Sequence, residues 1–428
     1  ESVVVKRVPV SRVTVNRHLE VNERTAHRCR SSRDTEDAMT EIGVYSFLMQ
    51  LGDRPVFLLD MHAVFLHAGD IWLVLEHAAD SDLFDFIKAS TSNKTPVPGE
   101  QVALWEWQLL HAVDYLHKHS IGHRDISIEN VLLSHGTIKL MDFGQAVQTH
   151  SASGLPLRYF RPIGKQYYKA PETNVPTDKV VEVVAPPNSR GGQVALACVS
   201  KDCYCELLLP STAVPGQRCV AEPWGYCVQP IDVFACGVVF YIMATGGPPW
   251  RRALPSDSHF VFAMTKGIRS LLSSQGKDAH PDALSLLSQM LDGRPGERIG
   301  IAACLKHPRC SHLQEPVPTR GVSSLAAEEG WIRSQDWPSH MSCDFYGSED
   351  DVRVFRSADS RKSQVAMVDV ATCAHLSDVL PLAAAMEPSR LELERASKDA
   401  QVSDREMDLR FQGDETLRAP PGTNFKFE

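Results

Sequence analysis

Two short stretches of the sequence combine carboxylate and amide side chains in a way that suits phosphoryl transfer. The first, HRDISIEN, runs from His123 to Asn130, and the second, the triplet DFG, begins at Asp142. Phosphoryl transfer asks little covalent chemistry of a protein, because nucleotide, metal ions and acceptor hydroxyl mainly have to be held and aligned. Asp125 is suited to orient the acceptor hydroxyl, and Asn130 and Asp142 offer oxygen ligands for Mg²⁺. These residues therefore predict a Mg²⁺-assisted transfer site.

Three further motifs follow in a fixed order. Ala170-Pro171-Glu172 comes first, Asp232 then opens a long apolar run, and Arg298 lies in GRPGERIG. With HRDISIEN and DFG, they resemble the protein kinase family over residues 1 to about 315, apart from an insertion. The resemblance implies a bilobal α+β fold, with a small antiparallel β N-lobe and a large, mainly α C-lobe. It also implies that Asp232 braces the catalytic loop and that Arg298 pairs with Glu172 as a structural clamp.

The resemblance assigns nucleotide-binding residues to the first part of the chain. Val3-Val4-Val5-Lys6 resembles the family's Val-Ala-Ile-Lys strand, so Lys6 would bind the α- and β-phosphates of ATP. Its partner would be Glu41 in the next helix, with Glu36 as the alternative partner. A solvated lysine on an edge strand is the other interpretation of Lys6. The adenine pocket would be formed by Val4, the gatekeeper Leu75, the hinge residues Glu76, His77 and Ala78, and Leu132.

Ser127 and Lys165 depart from the family pattern in opposite directions. Ser/Thr kinases carry Lys two residues after the catalytic Asp, and they carry Thr in a Gly-Thr-x-x-Tyr pattern before Ala-Pro-Glu. This chain has Ser127 at the first position and Lys165, in GKQYYK, at the second. We predict a reciprocal exchange, in which Ser127 supplies the hydroxyl and Lys165 the cation beside Asp125. The alternative is that both changes are drift and that Lys165 faces solvent.

The sequence leaves two interpretations of activity open. Five residues with proposed chemical roles are all present, namely Lys6, Glu41, Asp125, Asn130 and Asp142. Their presence favours an active kinase that uses ATP and Mg²⁺, and the segment after Asp125 lacks the Ala/Arg pattern of tyrosine kinases, which favours Ser/Thr as acceptor. Only five residues precede Lys6, so the family's Gly-rich loop is not within the given sequence and the N-lobe is expected to be truncated; either the sequence is a fragment or the kinase lacks its first two strands. That absence, Ser127 and the bulky Val4 favour a pseudokinase that acts as a scaffold or allosteric partner.

The chain divides into three parts by composition and pattern. Residues 1–80 are expected to form the truncated N-lobe and residues 81–345 the C-lobe. Within the C-lobe, residues 173–228 read as short strands separated by Gly/Pro turns, which predicts a β-rich insertion. Residues 346–428 are acidic and weakly periodic, which predicts a largely disordered tail, although 368–386 could dock as a helix. The insertion and the tail are candidate surfaces for a partner.

Composition limits the class of protein. With 428 residues, 43% hydrophobic residues and a net charge of −9, the chain is typical of a globular protein without a basic surface for nucleic acid. The apolar run 231–247 is short for a membrane span and is expected to be a buried helix. Eleven scattered cysteines favour free thiols in a reducing compartment, the cytoplasm or nucleus. The insertion's cysteines lack paired C-x-x-C spacing, so core thiols are favoured over zinc ligands.

Regulation and substrate choice leave weaker signals. Arg124 precedes the catalytic Asp, a position that often pairs with an activation-loop phosphate, and Arg158 and Arg161 could join it. The candidate acceptors are Thr149, Ser151 and Ser153. Four acidic residues would line the acceptor side of the cleft and favour basic peptides. They are Asp80, Asp82, Asp85 and Glu129.

Overall fold

The computed structural model describes residues 3–9, 38–67, 70–150, 154, 156–313, 316–322 and 352–354. Strands and helices are both present, and the strands form antiparallel sheets. A small unit built on a sheet comes first, and a larger, mainly helical unit follows. The expected α+β, kinase-like architecture is therefore confirmed.

The small unit is a three-stranded sheet with one long helix. Its strands are β1 (Val3–Pro9), β3 (Met61–His67) and β4 (Asp70–Glu76), in the order β1-β4-β3. Lys6 pairs with Leu73 in the β1–β4 register. Helix α1 (Ala38–Met49) buries Ile42, Tyr45 and Leu48 in the common core. The β-branched residues of β1 and the apolar residues of β4 explain why this segment forms a sheet.

The larger unit begins after the hinge and is built from helices joined by short strands. The helices are α2 (Leu83–Ser92), α3 (Gly99–Lys118), α4 (Val228–Thr245), α5 (Ser258–Lys266), α6 (Ile268–Ser274), α7 (Pro281–Met290), α8 (Ile301–Lys306) and α9 (Pro308–Ser311). The short strands of this unit are β5 (Ile121–Gly122), β6 (Val131–Ser134), β7 (Thr137–Leu140), β8 (Val147–Gln148) and β9 (Leu157–Tyr159). Strand β2 (Arg54–Pro55) precedes the hinge and pairs with β14 (Thr319–Arg320), which follows α9. Strands β6 and β7 form the hairpin that carries the chain from Asn130 to Asp142.

Helix α4 forms the centre of the core. It is long and apolar enough to cross a membrane by length and composition, but 78% of it is buried inside the protein. Phe234, on this helix, stacks on Trp250, which is fully buried. The chain leaves the helix at Gly246, whose φ of 83° lies in the left-handed region that ends many helices. Such burial is typical of the core helix of a globular protein.

The insertion forms a sheet with its own small core. Four strands, β10 (Val181–Val184), β11 (Val194–Ser200), β12 (Cys203–Leu208) and β13 (Arg218–Pro223), pair in the order β10-β13-β12-β11. Alternate residues face inward, and the core contains Val181, Val183, Ala197, Cys205, Leu207 and Ala221. This core is separate from the main one, so the sheet is a satellite attached beside Glu172.

The predicted tail is described over only one short strand. Strand β15 (Val352–Val354) pairs antiparallel with β9, with Val352 opposite Tyr159. The rest of 346–428, including the candidate helix at 368–386, lies outside the described residues.

Candidate active site

One buried carboxylate supports the catalytic loop. The side chain of Asp232 accepts the backbone N–H groups of His123 and Arg124, each at 2.8 Å. It also lies 3.0 Å from His117 Nε2. Arg124 has a φ of +65°, a conformation that costs energy for any residue other than glycine. The hydrogen bonds to Asp232 stabilise it. Asp232 thus fixes the turn that presents Asp125 to the cleft.

Asp125 and Asn130 are locked to each other. The Asn130 side-chain amide donates to Asp125 O at 2.7 Å and to Asp125 Oδ2 at 3.0 Å. The backbone carbonyl oxygen of Asn130 accepts a hydrogen bond from Met141 N, and His123 Nε2 contacts Met141 O at 3.1 Å. The loop is therefore joined to the residue just before Asp142, and the three predicted polar residues share one rigid frame.

Lys165 enters this frame from the segment before Ala-Pro-Glu. Its Nζ donates to Ser127 Oγ at 2.8 Å and to Asn130 Oδ1 at 3.1 Å, and it lies 3.5 Å from Asp125 Oδ2. The Lys165 side chain is 22% exposed and Ser127 is fully buried. The hydroxyl and the cation of the predicted exchange are thus in direct contact beside Asp125, and Lys165 does not face solvent.

The charge on Lys165 is favoured by its neighbours. Burial alone lowers the pKa of Lys165, but the nearby carboxylates of Asp125, Glu129 and Asp142 outweigh burial and raise the pKa above its ordinary value. The ammonium therefore stays protonated throughout the neutral range. It places one permanent positive charge among three carboxylates.

The turn that delivers Lys165 requires glycine at position 164. Gly164 has a φ of +93°, in the left-handed region, and a Cβ there would lie 2.9 Å from Arg124 O. In the sequence, Gly164 stands out only as the first residue of the GKQYYK pattern. The structure explains it as the point where the activation segment passes directly over the catalytic loop.

Helix α1 connects the small unit to the triplet that begins at Asp142. Lys6 Nζ donates to Glu41 Oε2 at 2.8 Å, which is the expected pair; Glu36, the alternative partner, lies outside the described residues. Tyr45, one turn further along α1, meets the buried Phe143 ring edge-on at 4.9 Å. The ion pair and the packing of Phe143 are formed together, so the site is in its assembled arrangement.

The adenine-side residues differ in how far they are enclosed. Leu75 is buried and Leu132 is half-buried, whereas Val4, opposite Leu75 in the sheet, is 45% exposed. Glu76 N–H donates to Asp60 O at 2.8 Å, so this N–H is not available to a base. His77 and Ala78 follow β4 in an irregular segment, as expected for a hinge.

A charged cluster behind the hinge was not anticipated from the sequence. Arg320, on β14, donates to both oxygens of Glu76 at 2.8 and 3.0 Å and pairs with Asp60. Lys139 Nζ lies 2.8 Å from Glu76 Oε1, and Arg54 binds Asp60. Burial would raise the pKa of Glu76, but Arg320 and Lys139 lower it to about 2. A signal existed at Lys139, a lone charge in the apolar strand TIKL, but Arg320 gives no local signal.

The predicted regulatory residues are engaged within the fold. Arg124 Nε donates to Gln145 O at 2.7 Å, and its guanidinium lies 5.1 Å from the Tyr159 ring. Arg158 pairs with Glu206 of the insertion sheet and donates to Gly225 O. Thr149 is only 4% exposed. Its hydroxyl is therefore not accessible to a phosphorylating enzyme in this arrangement, and Ser151 and Ser153 lie outside the described residues.

The predicted clamp between Glu172 and Arg298 is present and buried. Arg298 donates to both carboxylate oxygens of Glu172, at 2.6 and 3.1 Å, and also to Pro230 O. Two parallel charge-assisted bonds of this kind are strong and directional. They anchor the end of the activation segment to the helical unit.

The acidic residues proposed for the acceptor side have different surroundings. Asp80 accepts His135 N, and Asp82 caps α2 by accepting Asp85 N at 2.7 Å, so both have structural uses. Both carboxylate oxygens of Glu129 are buried, beside Lys165 and the Tyr168 ring system. Asp85 is exposed. Asp85 is therefore the better candidate for contact with a basic substrate.

The insertion's cysteines are free thiols in diverse environments. Cys205 is buried in the satellite core, Cys203, Cys219 and Cys227 are half-buried, and Cys198 is exposed. Over the part of the chain that the structure describes, no group of three or more His, Cys, Asp or Glu side chains could hold a metal ion.

The residues expected to bind ATP and Mg²⁺ differ in how well they suit that role. Gly144 N donates to Oδ1 of Asp142 at 3.2 Å, which leaves Oδ2 for a metal ion. Lys6 is 33% exposed and held by Glu41, as required for a phosphate contact. Asn130 Oδ1, the other expected metal ligand, already accepts Lys165. Asp142 therefore fits a divalent ion better than Asn130 does.

Comparisons with known proteins cover the part of this site that contains Glu41, Asp125, Asn130, Asp142 and Lys165. Residues 13–181 match the family described as the protein kinase domain. The calcium/calmodulin-dependent protein kinase type II subunit delta of Oryctolagus cuniculus is 28% identical over 210 residues, which are 48% of this chain and 29% of that protein.

Two further relatives extend the match. A probable myosin light chain kinase of Dictyostelium discoideum is 27% identical over 269 residues, 62% of this chain and 43% of that protein. Mitogen-activated protein kinase 4 of Oryza sativa subsp. japonica is 27% identical over 248 residues, 58% of this chain and 59% of that protein. The chain therefore spans less than two thirds of the length of each.

Proposed function

Because this chain belongs to the eukaryotic protein kinase family, we propose that it transfers the γ-phosphate of ATP to Ser and Thr hydroxyl groups of proteins, with Mg²⁺. The observation that carries the proposal is the contact of Lys165 Nζ with Ser127 Oγ, 2.8 Å apart, at the edge of Asp125. It supplies a cation where the family's lysine is missing.

The residues divide the work of transfer among them. Asp125 orients the acceptor hydroxyl and receives its proton, and the Asn130 amide holds the Asp125 carboxylate in place. Lys6 binds the phosphates while Glu41 fixes its position. Lys165 stabilises negative charge that develops on the transferred group. When bound at Asp142, Mg²⁺ would neutralise charge on the phosphate oxygens.

Two features support the choice of substrate. The segment between Asp125 and Asn130 lacks the Ala/Arg pattern of tyrosine kinases. The exposed carboxylate of Asp85 favours a basic peptide on the acceptor side. We therefore propose basic proteins as acceptors. We also propose a reducing compartment, the cytoplasm or nucleus, because each cysteine that the structure describes is a free thiol.

The test is transfer of labelled γ-phosphate from Mg·ATP to a mixture of basic proteins, followed by identification of the labelled amino acid. Asp125→Asn is the matched control, since it keeps size and hydrogen bonding but removes the base. Transfer to Ser or Thr that disappears in Asp125→Asn supports the proposal. No Asp125-dependent transfer, or label on Tyr alone, contradicts it.

A pseudokinase scaffold is the second candidate function. The observation in its favour is the exposure of Val3, Val4 and Val5, each at least 45%, which leaves an apolar strand surface open to a partner. A scaffold would bind a partner without Asp125-dependent transfer. Loss of partner capture on deletion of 173–228, with no transfer in any variant, would favour this candidate.

A further inference from the structure

The orientation of the Asn130 amide is determined by its neighbours. Its nitrogen donates to two oxygens of Asp125, at 2.7 and 3.0 Å. Turning the amide over would set oxygen against oxygen at both contacts. Oδ1 is therefore the one side-chain atom of Asn130 that can bind a cation.

Asn130 Oδ1 already accepts a hydrogen bond from a cationic side chain, that of Lys165. Lys165 Nζ donates to Asn130 Oδ1 at 3.1 Å, to Ser127 Oγ at 2.8 Å, and lies 3.5 Å from Asp125 Oδ2. An ammonium has three N–H groups and no acceptor, so it can serve these three oxygens at once. Ser127 is buried and strengthens the placement, because its short side chain leaves room for the Lys165 tip.

A second divalent ion would conflict with this ammonium. Mg²⁺ binds oxygen at about 2.1 Å. An ion on Asn130 Oδ1 would therefore lie within about 5 Å of Lys165 Nζ, where like charges repel strongly in a partly buried site. Asp142 differs in that its Oδ2 accepts no hydrogen bond from the described residues, so an ion bound there would not have to share its ligand atom with the ammonium.

We propose that the Lys165 ammonium takes the place of one of two divalent ions, so that nucleotide binds here with a single divalent ion, at Asp142. The proposal rests on the proposed function, since it concerns the same nucleotide site. Lys165 is then a positioning and charge-supplying residue, and Asn130 holds Asp125 and Lys165 instead of a metal.

The test counts metal ions instead of measuring turnover. The full chain is titrated with Mn²⁺ in the presence of a non-hydrolysable β,γ-imido analogue of ATP, and bound Mn²⁺ is measured by electron paramagnetic resonance. Nucleotide binding is measured separately by calorimetry. We expect one Mn²⁺ for each bound nucleotide in the unmutated chain and two in Lys165→Met, which keeps the length of the side chain but removes its charge.

Two control variants make the count specific. Lys165→Arg keeps the charge and should stay at one Mn²⁺. Lys165→Met combined with Asn130→Ala should return from two Mn²⁺ to one, because the freed oxygen is removed.

The outcomes separate the inference from the proposed function. Two Mn²⁺ in the unmutated chain, or one in a folded, nucleotide-binding Lys165→Met variant, overturns the inference and leaves the transfer proposal intact. If the analogue does not bind at all, the proposed function fails and the inference fails with it. One Mn²⁺ in the unmutated chain and two in Lys165→Met support it, whatever the turnover.

Discussion

At the scale of single residues, the contact between Ser127 and Lys165 is the observation on which the proposed transfer depends. A lysine in the catalytic loop and a threonine opposite it would give one cation and one hydroxyl. The observed pair gives the same two groups from reversed positions, 2.8 Å apart. What matters for charge stabilisation is where the ammonium lies and how well it is held, not which segment carries it.

Removing the Lys165 charge should lower the rate of transfer. We expect Lys165→Ala to reduce kcat by about 100-fold or more, the range for losing one preorganised donor at a developing charge. Initial rates at saturating Mg·ATP measure the effect. The double variant Ser127→Lys with Lys165→Thr is the control, and it should recover much of the loss. An unchanged kcat in Lys165→Ala would show that Lys165 plays no part.

At the scale of elements, the hinge is tied to the segment that follows the last helix. Strand β14 pairs with β2, and Arg320 reaches from it to Glu76 and Asp60. Glu76 ends β4, so this contact acts on the strand that leads into the nucleotide hinge. The two-residue β14 pairing is too short to hold by itself, and the ion pairs supply the attachment.

Loss of Arg320 should destabilise the protein measurably. We expect Arg320→Ala to lower the free energy of unfolding by about 1–3 kcal/mol, because charge-assisted bonds to two partly buried carboxylates are lost. Urea denaturation measures the change. Arg294→Ala is the matched control, because Arg294 binds Asp292 in an exposed pair and should contribute about 1 kcal/mol or less. Equal effects of the two variants would contradict the role of Arg320.

The same cluster should give the stability a pH dependence in mild acid. The pKa of Glu76 falls from 4.5 to about 2 on folding, so its contribution is fully present above pH 4.5. It is lost as the pH falls from 4.5 towards 2, and its size is at most about 3 kcal/mol. Unfolding measured from pH 7 to pH 3 should show a smaller loss for Glu76→Gln than for the unmutated chain. Parallel curves would exclude Glu76 as the source.

At the scale of the whole molecule, the inserted sheet acts on the activation segment. Glu206 of β12 pairs with Arg158 of β9, and both side chains are largely buried. Tyr226, at the end of the insertion, pairs its backbone with Tyr159. A carboxylate of this chain thus meets an arginine that was expected to serve a phosphate.

Removal of Glu206 should loosen the activation segment. Glu206→Ala leaves the Arg158 charge buried without its carboxylate, a change that costs about 3 kcal/mol in comparable buried pairs. Hydrogen exchange at Leu157–Tyr159 should become faster by about 10-fold or more. Glu182→Ala is the control, because Glu182 and Arg218 form an exposed pair in the same sheet. Exchange rates that respond equally to both substitutions would rule out a specific link.

The sequence by itself determined the groups with short-range geometry. Within HRDISIEN, Asn130 binds the backbone of Asp125, and a short hairpin joins this segment to DFG. The spacing of the two motifs therefore already implies how Asp125, Asn130 and Asp142 are arranged. The first strand, the helix with Glu41 and the central helix also follow from local patterns of apolar residues. The suggestion that Lys165 meets Ser127 came from a resemblance, in which two departures compensate each other.

The tertiary structure alone decided the contacts that depend on the full path of the chain. Arg320 lies 244 positions from Glu76, and Arg158 lies 48 positions from Glu206. The binding of Lys165 to Asn130 Oδ1 likewise depends on Gly164 bringing two segments together within hydrogen-bonding distance. Local propensity carries no information on such pairs, because their energy appears only after folding has closed the intervening chain. The sequence therefore specified which chemical groups are available, and folding decided which of them form ion pairs and hydrogen bonds with each other.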